Sequence, residues 1–498
     1  MPMNTTDPTK PDYTRPEVKA AQKDLTIIAQ LQGGPGAMWD ASTQHIRQWR
    51  DEDRAVYDIR RLCEPCEGLF VRTLSAAVGK LFAKPPKMEF TAAEDEFRAH
   101  WDNIDGSGAK GDIAIKEFAA DAIADGYALI LVDHPATPIG TLVTAANEQA
   151  LGLRPVWAFY ARSAVVSWRT AIVDNVDTLI QCVLREEAEE PLGAFGVHSV
   201  TLYRELFVEG GVAGWRVWVA PEKDGEAFAL QGTGVFRNRA GKTRGTIPLA
   251  IGYAGRKAAP FVAAPPLRDV AYANIAHWQV ATELAFGTQV SAIEQPVLTG
   301  AIPQENGAAG KVMLGWLKLV NVSEGGLFLW EGPSGAGLDQ LLKRKIEKEQ
   351  AISKMGMSFL SRDTRAAETA EAHRLDAAAE DSTLATSGQG TEDGVNTAAQ
   401  FHFWYMGLNE KDAPTITLNR DFEGTVLSPQ HAQSIAALVT AGMPIEQAVR
   451  TLVVGGFLAA EESEIDTIVA EWEMGQADKQ AREDEAAEDR AAELKVAA

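Results

Sequence analysis

The chain has 498 residues, room for roughly three domain-sized units, and its 47 basic and 69 acidic residues give a formal net charge of −22. This balance argues against tight nucleic-acid binding, which needs clustered Lys and Arg, but not against a surface past which DNA slides. Three cysteines cannot form a disulfide framework, and no apolar run reaches membrane-spanning length, so we expect a soluble protein made in a reducing cytoplasm.

The N-terminal half predicts helices followed by strands. Residues 1–40 are rich in Pro, Gly and Thr, which indicates a poorly ordered arm. Apolar residues at three- and four-residue spacing then predict three helices, over 63–81, 92–103 and 113–124. A mixed or antiparallel sheet is expected between 155 and 253. Its strands, after a first buried strand at 127–132, are predicted at 156–160, 179–185, 200–208 and 215–219.

Two helices flanking a β segment dominate the second half. Pro265-Pro266 opens a helix that ends before Pro296, and a second helix starts near Leu338. The alanine-rich helix that follows, to Met406, holds three glycines, each costing about 1 kcal/mol, so we expect a kink or break at 388–390. Further helices at 432–441 and 446–454 precede a tail, 461–498, with 13 acidic and 4 basic residues.

Three motifs fall short of the functional sites they suggest. Gly106–Gly111 fits G-x-G-x-x-G but follows a polar helix, which predicts a turn between helices. Cys63 and Cys66 form a lone C-x-x-C without the second ligand pair that zinc needs. The segment 307–311 lacks the first glycine and the Ser/Thr of a phosphate loop. We therefore predict no catalytic residue, no metal and no cofactor, in a protein that is not an enzyme.

A basic cluster on the second flanking helix is the candidate functional feature. A solvated helix face is the plain interpretation of such a cluster. Its position favours function, because the helix belongs to a strongly acidic chain and pairs with another across a β insertion. The cations that we select as DNA-channel candidates are Lys343, Arg344, Lys348, Lys354, Arg362 and Arg365.

Segments along nearly the whole chain, about 13–473, carry a resemblance. They are 78–86, 104–108, 125–135, 166–169, 184–187, 273–278, 368–370 and 418–422. In their order they are similar to the tailed-bacteriophage portal family once described only as a domain of unknown function, found in siphovirus-like phages and prophages. None of these segments has a catalytic rationale.

The resemblance implies an α+β portal fold in named parts. These are a poorly ordered arm (1–40), a wing of helices plus mixed β region (41–264), stem helix 1 (265–295), a β-containing clip (296–337), stem helix 2 (338–357), a tunnel loop (358–365), a long kinked wing helix with a return strand (366–426), a helical crown (427–474) and an acidic tail (475–498).

It also implies a function and partners. The protein would form a homo-oligomeric ring, probably of 12 subunits, at one capsid vertex of the virion, after assembly in the host cytoplasm. Double-stranded DNA would pass through during genome packaging and ejection. The ring would meet the terminase large subunit, a head-completion or adaptor protein, and the major capsid and scaffolding proteins, without a membrane.

Other interpretations stay open. Another head-to-tail connector would also form a ring, although such adaptors are usually shorter and lack the helix–clip–helix plan. A DNA-processing hydrolase would need paired carboxylates with a metal ligand, or a nucleophile with a base, and neither pattern is evident. A cytosolic scaffold without a viral role is the third possibility.

Overall fold

The computed structural model describes residues 7–134, 153–221, 223, 226–292, 295–299, 327–331, 337–356 and 370–420, with short segments between 434 and 475. The chain divides into two units, Met1–Arg420 and Asp421–Ala498. Helices and antiparallel strands are both abundant, which confirms the predicted α+β class. None of the helices in the described ranges is long and apolar enough to span a bilayer.

Eleven α-helices are named here within the described residues. They are α1 Pro16–Gln32, α2 Gly34–Asp40, α3 Ser42–His45, α4 Arg54–Leu62, α5 Leu69–Leu81, α6 Glu94–Trp101, α7 Gly111–Asp125, α8 Arg268–Ala292, α9 Leu338–Gly356, α10 Ala370–Tyr405 and α11 Ile445–Val454. The first ten belong to the first unit, and α11 belongs to the second.

The strands of the first unit all pair antiparallel. They are β1 Lys87–Glu89, β2 Ala128–Asp133, β3 Val156–Ala161, β4 Val165–Val173, β5 Val176–Leu192, β6 Gly196–Glu209, β7 Val212–Val219, β8 Ala229–Val235, β9 Leu249–Gly252, β10 Lys257–Ala259, β11 Val262–Ala263, β12 Gln295–Thr299, β13 Leu327–Glu331 and β14 Thr415–Thr417.

Two sheets organise these strands. The larger has the order β4-β5-β6-β7-β8, and consecutive strands pair through hairpin connections. Its core contains Val166, Val183 and Tyr203, against which Trp218 and Phe228 pack. The smaller has the order β3-β2-β9, with β2 fully buried except at its last residue. Two-stranded pairs join β1 to β14, β10 to β11 and β12 to β13.

The smaller sheet is covered by α7 and α10, which meet over Gly252 of β9. A Cβ on Gly252 would lie 2.7 Å from the Phe118 ring of α7 and 3.4 Å from the Gly390 carbonyl oxygen of α10. A Cβ on Gly390 would in turn lie 1.8 Å from the carbonyl oxygen of Tyr253. The glycines of α10 therefore bring two backbones into direct contact, since any side chain would hold them apart.

This packing corrects one prediction. Of the kink or break expected at Gly388–Gly390, the break is wrong, because α10 continues through all three glycines to Tyr405; the kink stays a prediction. Each glycine lowers helix propensity, but burial against the sheet compensates for that loss. Spacing alone could not reveal this, since a glycine that breaks a helix and one that packs a helix look the same in sequence.

The N-terminal prediction also needs correction. Residues 16–40, which composition assigned to a poorly ordered arm, form α1 and α2, and α1 buries Leu25, Ile28 and Leu31. The helix predicted from Cys63 begins instead at Leu69, because Pro65 and Gly68 interrupt the chain after α4 ends. The remaining predicted helices and strands up to residue 260 are confirmed, with α6 and α7 joined by the expected glycine turn at 106–108.

The second unit is described only in part. Of the helices predicted there, residues 446–454 lie in α11, which begins at Ile445. The tunnel loop (358–365) lies outside the described residues, as do nearly all of the tail (475–498) and most of the clip (296–337).

Candidate functional site

The helices α8 and α9 run antiparallel and flank the β12–β13 hairpin. His277 of α8 contacts Glu349 of α9, with Nε2 to Oε1 at 3.1 Å. Further along α8, Gly287 lies beside Leu338, the first residue of α9, where a Cβ on the glycine would be 2.8 Å from Leu338 Cδ2. The two helices are therefore antiparallel. The β12–β13 hairpin lies beyond the end of the helix pair at which Gly287 meets Leu338.

The first half of α8 is fixed to the chain between α4 and α5 by buried polar side chains. Asn274 donates from Nδ2 to the Glu67 carbonyl at 2.9 Å and accepts from the Phe70 N–H at 2.9 Å. Trp278 donates from Nε1 to the Glu64 carbonyl at 2.9 Å. These bonds satisfy the Glu64 and Glu67 carbonyls between α4 and α5 and the Phe70 N–H in the first turn of α5, so they fix α8 to this segment.

An ion-pair network then joins α9 to the same segment. The Lys345 ammonium lies 3.0 Å from Glu67 Oε1 and 3.6 Å from Glu349 Oε1. Burial opposes ionisation of Lys345, but the bond to Glu67 outweighs it and the pKa of the ammonium is raised. Burial likewise would raise the pKa of Glu67, yet Lys345 holds it below its usual value. Both shifts favour the charged pair, so the network links α9, α8 and the body at neutral pH.

Three of these groups could also hold a cation. Ligand atoms of Glu67, His277 and Glu349 lie within 4.8 Å of one another, and two carboxylates with an imidazole suit a divalent transition metal. The Lys345 ammonium, however, already pairs with both carboxylates. A metal ion would have to displace it, so the geometry fits a structural ion-pair network better than a metal centre.

Opposite this packing face, α9 presents a polar stripe. Lys343, Glu347, Gln350 and Lys354 follow one another at helical spacing, and all four are exposed. Neither lysine has a carboxylate partner among the residues that the structure describes. Ile352, on the packing side, is buried. Lys343 and Lys354 are therefore the cations that point most directly away from α8.

The other predicted cations divide into two groups. Arg344 is exposed and Lys348 is half-buried, one turn apart on the flank of α9. Arg362 and Arg365 lie outside the described residues. The structure thus brings four of the six candidates onto one helix but gives them different environments.

Sequence reasoning missed the network at Lys345. The available signal was polar residues on the apolar side of the predicted helix, since Lys345 and Glu349 share the face of Leu341 and Ile352. A lysine in such a position needs a buried partner. Its partner, Glu67, is far away in sequence, and no local pattern could have identified it.

The two cysteines of the C-x-x-C segment have no special chemistry in this fold. They lie between α4 and α5, where Cys66 is buried and Cys63 is half-buried. Burial raises the pKa of the Cys66 thiol to about 12 and also raises that of Cys63. A thiolate is the form that binds metal or attacks a disulfide, so these thiols stay unreactive at neutral pH.

A second polar cluster is buried where α10 meets β3. The Trp157 indole donates to His402 Nδ1 at 3.1 Å, so His402 must carry its proton on Nε2, which donates to His100 Nδ1 at 2.9 Å. Burial, reinforced by neighbouring cations, lowers the pKa of His402 well below its usual value and that of His100 to about 4. Both imidazoles are neutral and serve packing.

A large open cavity of about 1120 Å³ lies between residues 8–17 and the five-stranded sheet. Two of its four lining cations are engaged: Arg15 lies over the Trp168 ring at 4.4 Å and pairs with Glu17, and Arg216 pairs with Glu209. Its lining carboxylates are Glu17, Glu205 and Glu226. Glu17 accepts from Arg15, and Glu205 accepts from Gln181 and Trp218, so these two are held by neighbouring side chains.

Comparisons with known proteins find a family model and many solved structures, but no curated sequence. A family model described as "Domain of unknown function (DUF4055)" matches residues 266–406, which include α8, α9 and α10. No curated protein sequence matches the chain. Among solved structures, one described as "Neck of empty GTA particle computed with C6 symmetry" aligns with a TM-score of 0.39 and 10% identity, over 86% of this chain and 97% of the other. Another, "Neck of native GTA particle computed with C12 symmetry", aligns with a TM-score of 0.36 and 11% identity, over the same shares.

Proposed function

We propose that this chain is a bacteriophage portal protein, a subunit of a ring that conducts double-stranded DNA into and out of a capsid. The observation that carries the proposal is the antiparallel α8–α9 pair, which flanks a β hairpin and presents Lys343 and Lys354 on its open side. In a ring of copies, α8 and α9 are the stem, the hairpin belongs to the clip, and α10 lies in the wing.

The electrostatics suit a DNA channel. A chain of net charge −22 repels phosphate overall, which keeps the duplex from adhering to the wall. Two exposed lysines on a stripe that also holds Glu347 and Gln350 give weak contacts that salt screens and that exchange as DNA moves. Lys343 and Lys354 fit this role, and we extend it to Arg344, Lys348, Arg362 and Arg365.

The way in which α8 and α9 are attached to the body of the protein also suits a DNA channel. A channel wall must keep its shape while a motor drives DNA through it. Asn274 and Trp278 tie α8 to the body by neutral hydrogen bonds, and Lys345 ties α9 by charge. The DNA-facing lysines can therefore be changed without loosening the wall.

Two measurements test the proposal. Negative-stain microscopy of the purified full-length protein should show rings with a central hole wide enough for a DNA duplex. The double variant K343M/K354M should keep the rings but alter DNA packaging or retention. The matched control K110M/K116M removes two exposed lysines from the start of α7 and should change neither. A monomeric protein, or rings lost in K343M/K354M, would contradict the proposal.

Two alternative functions can also be tested. A different head-to-tail connector would form rings, but its DNA retention would not respond to K343M/K354M. A metal-dependent hydrolase is the other candidate, because Glu67, His277 and Glu349 converge. Nuclease and ATPase assays with Mg²⁺ or Mn²⁺ test it. Turnover that E349Q abolishes would favour the hydrolase.

A further inference from the structure

The five-stranded sheet carries an acidic arm at one end. The outer half of the β5–β6 hairpin extends beyond the other strands, because β7 pairs with β6 only from Leu202 onward. Glu189 and Glu190 lie on this arm, exposed, and neither has a cationic partner among the described residues. At its tip Phe195 is fully exposed, with Leu192 and Val197 more than half exposed beside it. An apolar tip with flanking charge is typical of a contact surface.

The opposite end of the same sheet carries a basic loop. The chain leaves β8 at Val235, and a tight turn centred on Gly241 presents Arg237 and Lys242 to solvent. Neither cation has a carboxylate partner in the part of the chain that the structure describes. The loop is firmly held, since the Arg244 carbonyl accepts from the Ala213 N–H at 2.7 Å.

These two surfaces cannot meet within one chain. The tip precedes the first residue of β6, and the basic loop lies beside the first residues of β7, where β6 ends. A strand of 14 residues separates them, on the order of 45 Å. Complementary patches that are far apart on one rigid sheet can be joined only between copies, and such a head-to-tail contact generates a ring when its rotation closes.

We infer that the acidic arm of one copy docks on the basic loop of the next, with Arg237 and Lys242 placed around the arm, from whose two faces Glu189 and Glu190 project, and with the Phe195 tip covered at the contact. The closure of this contact into a ring rests on the proposed function, but the pairing itself does not. It supplies a specific contact between the sheets of adjacent subunits.

Charge exchange tests this contact. The arm variant E189K/E190K and the loop variant R237E/K242E should each weaken self-association at low salt about tenfold or more, measured by light scattering after gel filtration. The combined quadruple variant should restore it, because the charges are then complementary again. The control D95K/D102K makes the same charge change on exposed positions in and just after α6, and should leave association unchanged.

The outcomes separate the contact from the proposed function. Unchanged association in either double variant, or no recovery in the quadruple variant, would overturn the contact even if the protein forms rings. Charge-dependent association into filaments or into closed particles without a hole would instead support the contact and contradict the portal. The tip variant F195D should weaken association in both wild-type and charge-exchanged backgrounds. Association unaffected by F195D would remove the tip from the contact.

Discussion

The helices α9 and α10 are attached to the protein in opposite ways. α10 lies on β9 through glycines whose backbone touches the backbone of Tyr253 and Gly252, with no side chain between them. α9 is held by Lys345, whose ammonium bridges two carboxylates on different elements. The first attachment depends on shape and the second on charge.

Because of this difference, the two helices should tolerate different substitutions. A backbone contact cannot adjust to an added methyl group, because neither backbone can rotate out of the way. An ion pair between partly exposed side chains can rearrange, and its contribution falls with salt. We therefore expect substitutions in α10 to act through stability, whereas substitutions on the open side of α9 should act through function.

The largest effect is expected for Gly390→Ala. Its Cβ would lie 1.8 Å from the Tyr253 carbonyl oxygen, so α10 and β9 would have to separate. We expect a loss of more than about 4 kcal/mol in unfolding free energy, seen as little soluble protein or a much lower Tm.

Two further glycines make this a graded series that remains informative if Gly390→Ala does not fold. Gly388→Ala meets only the flexible end of Leu81, at 2.7 Å from Cδ2, and should cost less. Gly79→Ala in α5 meets open space and should raise stability by about 0.5–1 kcal/mol, because alanine is the better helix former. Similar Tm values for all three variants would contradict the backbone contact.

A smaller loss of folding stability is expected at low pH, through the buried His402–His100 pair at the C-terminal end of α10. His402 and His100 are neutral in the folded protein because burial lowers the pKa of each, whereas unfolded histidines titrate near 6.5. The unfolded state therefore binds more protons as pH falls from about 6.5 towards 4, and the folded state loses stability in that window. Protonation of His402 at Nδ1 would also break the bond from Trp157.

The variant His402→Asn isolates this contribution. It should cost about 2 kcal/mol at pH 7, because His100 loses its partner, but its stability should fall less than that of the wild type between pH 7 and pH 5. The stability difference between variant and wild type must be compared at each pH. The raised pKa values of Asp121 (about 6) and Asp125 (about 7) stabilise the folded state as pH falls, which opposes the effect of the histidines. His198→Asn, at an exposed histidine, serves as the control in urea unfolding at both pH values. Parallel pH curves for wild type and His402→Asn would contradict the neutral pair.

The sequence predicted the elements of this fold better than their contacts. Apolar periodicity located α7, α8 and α9 and the strands of the large sheet, because one buried face determines each pattern. Composition misjudged α1, since Pro and Thr near the chain start outweighed its apolar face of Leu25, Ile28 and Leu31. The glycines of α10 were misjudged because their meaning depends on a sheet more than 130 residues away in the chain.

The candidate site shows the same limit. Helical spacing correctly grouped Lys343, Arg344, Lys348 and Lys354 on one helix. Which of them faces outward depended on where α8 packs, and the sequence does not contain that information locally. Lys345 is not among the cations selected from the sequence, although its position among apolar residues marks it as the one that pairs across elements.

The smallest effect is expected from two neighbouring lysines of α9. Lys345→Met keeps the apolar stem but leaves Glu67 and Glu349 unneutralised, and should cost about 1 kcal/mol because both carboxylates are partly exposed. Lys343→Met, two residues away on the opposite side, should change stability by less than about 0.5 kcal/mol. A double-mutant cycle with Glu67→Gln should assign about 0.5–1 kcal/mol of coupling to Lys345 and none to Lys343. Raising the salt concentration should shrink the coupling, because the pair is only partly buried. Equal costs for the two lysines would mean that α9 is rotated about its axis, and Lys343 would then no longer be the cation presented to DNA.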